Sequence, residues 1–206
     1  MWLGAFASAG SLRSELDIPR ASLVKLLAAS IVGTTLGAIL LLRTSNAAFA
    51  ASIPALLFIA TALYIAGPAL TRAAQRSRAT STLASPLGIC AQFAIAIYGG
   101  FFGAAMGILM LALLGILGLH DTRRANALKV FLSAVINGVA VIPFVIARVV
   151  SWEPAVAMSV GAIAGGYLGA GVVKRMPATT IRTFVIVVGC VMTAYFAWKT
   201  YVVRTR

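Results

Sequence analysis

A polytopic all-α transmembrane bundle, built from two related repeats and interrupted by one broken or re-entrant glycine-rich segment, is the fold class this sequence predicts. Three observations predict it: a composition that no water-soluble domain has, six long apolar stretches joined by short basic connections, and an internal register of 132 positions. Of the 206 residues, 61% are hydrophobic and 10% are charged, and the mean hydropathy is +1.01. Soluble domains carry about 25% charged residues.

The charge balance assigns the partner. Seventeen Lys and Arg against four Asp and Glu give +13. In so apolar a chain this excess belongs to loops and membrane flanks, so it indicates a lipid bilayer and not a nucleic acid. Cys90 and Cys190 both lie inside apolar runs, which fits free thiols rather than a disulfide framework or a metal cluster.

A helix needs about 20 apolar residues to cross a hydrocarbon core roughly 30 Å thick. Cutting the chain at charges, prolines and polar clusters leaves stretches at Leu23–Leu42, Ala48–Leu70, Pro86–Leu119, Ala125–Ala147, Pro154–Val173 and Ile181–Val203. Residues 1–22 lack a basic start and a long apolar run, so they do not read as a signal peptide. Trp2, Leu3 and Phe6 followed by Ser8, Arg13 and Glu15 suit the last turns of a span leaving the membrane, with a frayed surface tail as the alternative.

The repeat emerges when the chain is slid against itself. Ile31-Val-Gly-Thr-Thr-Leu-Gly-Ala38 falls on Ile163-Ala-Gly-Gly-Tyr-Leu-Gly-Ala170 with five identities in eight, Arg43 falls on Arg175, and Thr61 and Ala62 fall on Thr193 and Ala194. The expected division is an incomplete first repeat over 1–85 and a complete second repeat over 86–206. On this register, the opening segment of the first repeat would start about 45 positions before Met1.

Pro86–Leu119 is too long for one span. As a straight helix its 34 residues would reach about 51 Å. The break is expected at Tyr98-Gly-Gly-Phe-Phe-Gly103, since each glycine lowers helix stability by about 1 kcal/mol relative to Ala. Non-helical backbone at that depth must be buried in protein or line a watery cavity, and a helix N-terminus left there is an anion-binding arrangement. Glycines at spacing four (Gly99, Gly103, Gly107; Gly161, Gly165, Gly169; Gly33, Gly37) also match the small-residue pattern of close helix packing. Packing is the preferred reading for the last two sets. For the Gly99 region, packing and substrate contact both remain open.

Charge counting bears on the same segment. One crossing would give the two sides about ten and seven basic residues; entering and returning gives about twelve and five. The second split is the stronger bias, and it makes the two halves inverted in topology.

The run Tyr98-Gly-Gly-Phe-Phe-Gly-Ala-Ala-Met-Gly-Ile-Leu109, then Leu117-Gly-Leu, then Arg124-Ala-Asn-Ala-Leu-Lys129 and Asn137, resembles the second-repeat signature of the sulfite exporter TauE/SafE family, also called 4-toluene sulfonate uptake permeases. The similarity extends over residues 23–203. It implies a plasma-membrane protein with two related halves that moves sulfur-containing anions such as sulfite or a sulfonate. The family's glycine run usually continues through the positions held here by Ala105 and Met106.

Candidate substrate contacts are Tyr98, Gly99, Gly100, Gly103, Asn126, Lys129 and Asn137. Asn126 and Asn137 are eleven residues apart, so they share a helix face with Ser133 between them. That polar stripe is expected to face the bundle interior, where it serves substrate or bonds to neighbouring helices. Lys129 either faces an anion or snorkels to the interface. Cys90 and Gln92 either line the same cavity or, as the preferred reading, serve core packing and an interhelical bond; His120 and Asp121 read as a loop pair in preference to a proton relay, and Trp152, Trp198 and Tyr201 as interfacial anchors. No nucleophile–base pair, carboxylate pair, phosphate loop or metal-ligand spacing occurs, so neither an enzyme nor a cofactor is expected. The leading function is a permease for a small anion working by alternating access. A coupling ion and a homo-oligomer stay open as partners. An anion channel, and a truncated non-transporting membrane protein that assembles with a partner, are the competing functions.

Overall fold

A computed structural model describes residues 19–76, 83, 85–173 and 177–199. The expected last turns of a span within residues 1–18, and Tyr201, lie outside these. Regular structure among the described residues is helical throughout: α1 (Arg20–Arg43), α2 (Asn46–Arg76), α3 (Pro86–Phe101), α4 (Met106–Ile116), α5 (Thr122–Ile146), α6 (Trp152–Val173) and α7 (Ala178–Ala197). Long apolar helices cover Arg20–Arg43, Asn46–Ala74 and Arg123–Ile146, each sufficient to cross a bilayer, and shorter apolar ones accompany them. This is a multi-pass membrane helix bundle.

The 132-residue register reappears in the helix boundaries. Arg20 and Trp152, which open α1 and α6, stand 132 positions apart, as do Asn46 and Ala178, which open α2 and α7.

The Pro86–Leu119 stretch is two helices folded back on each other. Ser85 caps α3 by accepting from the Gly88 N–H at 3.2 Å, with Pro86 at the first helical position. At the far end, the Leu119 N–H donates to the Leu114 carbonyl and the Gly118 N–H to the Gly115 carbonyl, with Gly118 at φ +86°. This is a Schellman stop, and it explains Leu117-Gly-Leu. A Cβ on Gly88 would meet the Leu117 side chain at 2.8 Å, and one on Gly99 would meet Met106 Sδ at 2.8 Å. The start of α3 therefore lies beside the end of α4, so the segment enters and leaves on one side. That is the geometry the charge count favours. Asp121 then opens α5 by accepting from the Arg123 and Arg124 N–H groups at 2.9 and 3.3 Å.

Glycines clamp α1 to α3. A Cβ on Gly33 would stand 2.7 Å from the Phe93 carbonyl oxygen, and one on Gly37 would overlap the Ile97 carbonyl. The contacts advance together along both helices, so α1 and α3 run in the same direction with their backbones almost touching, as the packing reading of Gly33 and Gly37 expects. Buried Gln92 donates to Ser30 Oγ across this seam at 2.9 Å, and Ser30 in turn donates to the Leu26 carbonyl. Gln92 is thus the interhelical bond expected of it, whereas Cys90 is exposed and takes no part in the core. The core beside the seam is Leu26, Met110, Leu114, Leu128, Leu132 and Ile136, contributed by α1, α4 and α5. The Val24, Val32, Leu36 and Leu40 side of α1 is exposed, as an apolar face turned to lipid must be.

The other glycine stripe behaves differently. A Cβ on Gly161 or Gly165 would meet nothing within 4 Å, and α6 is exposed at Val156, Met158 and Val160. Packing was expected here too; among the described residues α6 has no helix close enough to use those two glycines.

Candidate functional site

The turn that reverses the hairpin spans Phe102–Ala105. Carbonyl Tyr98 receives the N–H groups of Phe102 and Gly103, at 2.9 and 3.0 Å, and closes α3. Gly103 then takes φ +74° and Ala105 φ +62°, both left-handed, before α4 starts without a side-chain cap. The Tyr98 hydroxyl donates to the Ala104 carbonyl at 2.6 Å and ties the turn to the helix below it. Met106 and Ile108 donate back to Gly103 and Ala105; among the described residues the N–H groups of Ala104, Ala105 and Gly107 have no backbone acceptor. Backbone N–H groups and the positive end of the α4 dipole thus come together at the half-buried tip of a membrane hairpin, an arrangement suited to negative charge.

Beside that tip is a cavity of about 190 Å³ lined by Ala60, Thr61, Tyr64, Ala105, Val185 and Gly189. Its polar side chains come from α2: Thr61 and Tyr64. The Thr61 hydroxyl lies so close to Gly189 that a Cβ there would stand 2.6 Å from it. A larger groove of about 500 Å³ continues between α2 and α7. Its lining consists of Phe58, Thr61, Ala62 and Ile65 with Cys190, Thr193, Ala194 and Ala197, and each of the second four stands 132 positions after its counterpart. The two repeat-matched helices meet through matched residues.

The residues expected at the site separate into three groups. Tyr98 and Gly103 shape the turn. Gly99 and Gly100 lie inside α3, with Gly99 filled by Met106 and Ile136 and Gly100 pressed onto the Thr34 backbone. Those two are packing positions, and their N–H groups belong to the helix ladder, so the free donors come later in the turn. Lys129, half-buried on α5, lays its stem on Gly107, with its Cδ 3.5 Å from a Cβ placed there. Asn126 and Asn137 are exposed, and Asn137 donates to the Ser133 carbonyl at 2.8 Å. The buried face of α5 is instead Ala125, Leu128, Leu132 and Ile136, so the asparagine stripe does not enter the described core. Thr61 and Tyr64, which line the cavity beside the tip, were not among the expected contacts, although the repeat register had already singled out their neighbourhood. Asp121 is a helix cap, and Trp152 and Trp198 are exposed, as interfacial anchors would be.

The family described as sulfite exporter TauE/SafE matches residues 1–196 of this chain. The chain belongs to the TauE/SafE family. It is 30% identical over 115 residues to the "Probable membrane transporter protein YunE" of Bacillus subtilis, a match covering 54% of the chain and 42% of that protein. It is also 27% identical over 164 residues to a "Probable membrane transporter protein" of Haemophilus influenzae, covering 79% of the chain and 63% of that relative. The chain thus spans less than two thirds of either relative. No solved structure matches it.

Within the TauE/SafE glycine run, Ala105 and Met106 now have physical readings. Met106 is buried and fills the space over Gly99. Ala105 sits in the left-handed region, where a Cβ costs about 1 kcal/mol and glycine costs nothing comparable. Ala105→Gly is therefore expected to raise stability by up to about 1 kcal/mol, read as a higher melting midpoint in detergent. An unchanged or lowered midpoint would show that the turn relaxes without strain.

Proposed function

We propose that this chain forms the substrate-handling part of a permease for a small sulfur-containing anion, such as sulfite or a sulfonate, and that it works by alternating access. Its division into a first repeat over 1–85 and a second over 86–206 belongs to the same reading. The observation that carries it is the uncapped N-terminus of α4, whose N-cap residue Ala105 walls a cavity with Thr61 and Tyr64. The anion accepts from the free N–H groups of Ala104, Ala105 and Gly107 and from the two hydroxyls, while Lys129 sets positive charge beside Gly107. An in-and-out hairpin makes the halves inverted in topology, the construction that places a substrate site near mid-membrane in secondary transporters.

The test is uptake of radiolabelled sulfite and of a small sulfonate by proteoliposomes. Tyr64→Phe and Lys129→Met each remove one anion-facing group with little change of shape, and each is expected to slow uptake about tenfold, roughly the loss of one charge-assisted hydrogen bond. Parental uptake in both variants would remove the site from consideration.

A further inference from the structure

Tyr64, which lines the tip cavity, also lines a second cavity of about 570 Å³ whose walls include Thr71, Arg72, Ile108 and Leu111. Contacts between α2 and α4 advance together. Tyr64 shares the tip cavity with Ala105, a Cβ on Gly67 would meet Ile108 at 3.1 Å, and Thr71 and Arg72 share the second cavity with Leu111. The two helices therefore run in the same direction, away from the tip, and the second cavity follows them towards the side on which the hairpin enters and leaves. That side receives the larger share of basic residues.

Arg72 stands eight residues beyond Tyr64, about 12 Å further along α2, and still within the apolar span Asn46–Ala74. An arginine near the end of a span ordinarily reaches out to the headgroups. This one is turned back: its Nε–H donates to the Pro68 carbonyl at 3.0 Å, one turn nearer the tip, and Pro68 is itself a wall of the cavity. Among the described residues Arg72 forms no ion pair, and the terminal amino groups of its guanidinium remain as donors. The described walls thus offer one positive charge and two hydroxyls, those of Tyr64 and Thr71, with no carboxylate among them.

We infer that this cavity is the vestibule through which a small anion passes between that side of the membrane and the tip, and that the Arg72 guanidinium concentrates the anion there. The inference rests on the tip as the anion site and adds to it a route and a residue that acts ahead of it. A cleft that carries one sign of charge between apolar walls, here Ile108 and Leu111, raises the local concentration of the opposite ion. A guanidinium takes two anionic oxygens at once, and both a free oxyanion and the phosphate of a lipid headgroup present them. The continuation of the cavity to Tyr64 favours the free anion, because a lipid phosphate stays at headgroup depth.

The test places a reporter thiol by Thr71→Cys in the full chain, with Cys90→Ser and Cys190→Ser removing the native thiols. Two membrane-impermeant methanethiosulfonates, one carrying a sulfonate and one a quaternary ammonium, are applied to inverted and to right-side-out membrane vesicles. In inverted vesicles the anionic-to-cationic rate ratio is expected to lie about tenfold above that of a free thiol in solution, and Arg72→Gln is expected to return it to the free-thiol value. A free-thiol ratio with Arg72 present, a ratio that Arg72→Gln leaves unchanged, or labelling confined to right-side-out vesicles overturns the inference. Proteoliposomes of phosphatidylcholine, with and without phosphatidylglycerol, separate the two sources of anion. The difference made by Arg72→Gln is expected to persist in both; its loss with phosphatidylglycerol assigns Arg72 to a lipid phosphate and overturns the vestibule.

Uptake supplies a second readout. With the native thiols in place, Arg72→Gln is expected to raise the half-saturating sulfite concentration about tenfold while the maximal rate stays near that of the parent, the mark of a group that binds ahead of the translocation step. An unchanged half-saturating concentration counts against the route. The labelling needs no anion at the tip, so the two readings fail separately. Parental uptake in Tyr64→Phe and Lys129→Met beside a preserved labelling ratio refutes the tip alone, and slowed uptake in those variants beside a free-thiol ratio refutes the vestibule alone.

Discussion

Gly100→Leu is expected to dismantle the α1–α3 clamp and leave no monodisperse protein in detergent. A Cβ at Gly100 would overlap the Thr34 carbonyl oxygen and stand 3.0 Å from both the Thr34 carbonyl carbon and Cα. All three are backbone atoms of a continuous helix, so no rotamer change can make room. The helices must separate, and the buried bond from Gln92 to Ser30 is lost with them. Overpacking a well-filled core costs about 1–3 kcal/mol, and separating two helices along a shared glycine seam belongs at or above the top of that range. Gly107→Ala is the contrast. Its new methyl would find only the flexible Lys129 stem at 3.5 Å, an ordinary contact, and the helix gains from alanine. Size-exclusion profiles and melting midpoints of the two variants check this. A Gly100→Leu protein that melts with the parent would mean that the seam is not closed.

These two glycines also show where sequence reading stops. Span positions, the hairpin and the α1 seam were legible because each follows from one-dimensional quantities: the length of an apolar run against membrane thickness, the side on which basic residues fall, and a four-residue glycine spacing. The exact turn was not legible. Glycine suits both a reversal and a close backbone approach, and the sequence does not state which neighbour arrives. Gly99 and Gly100 turned out to be approached by Met106 and Thr34, while the reversal fell to Phe102–Ala105 and placed an alanine in a left-handed conformation. Thr61 and Tyr64 were hidden for a related reason. They stand on α2, more than 30 residues before the glycine motif, and only the bundle brings them to Ala105. The asparagine stripe was misplaced because helical spacing says that residues share a face, not which face is covered.

Gly103→Val separates transport from folding more sharply than any contact deletion at this site. Gly103 holds φ +74°, and a Cβ there would lie 3.0 Å from the Gly99 carbonyl oxygen. A β-branched residue in this region is a genuine outlier costing about 1–2 kcal/mol, less than the clamp contributes, so the bundle is expected to survive with a modestly lower midpoint. The turn cannot survive unchanged. To relieve φ it must rotate the peptides that follow, and these carry the free N–H groups of Ala104 and Ala105 and the start of α4. On the proposed site the donors then point away from the cavity that Thr61 and Tyr64 line. A misplacement on the order of 1 Å in an oriented site can cost about a hundredfold in rate. Sulfite uptake should accordingly fall about a hundredfold, tenfold below the single-contact variants, while the size-exclusion profile stays that of the parent. Uptake at the parental rate in a folded Gly103→Val protein would place the anion elsewhere in the bundle. Uptake and folding lost together would make Gly103 a structural position and leave the tip without a demonstrated ligand.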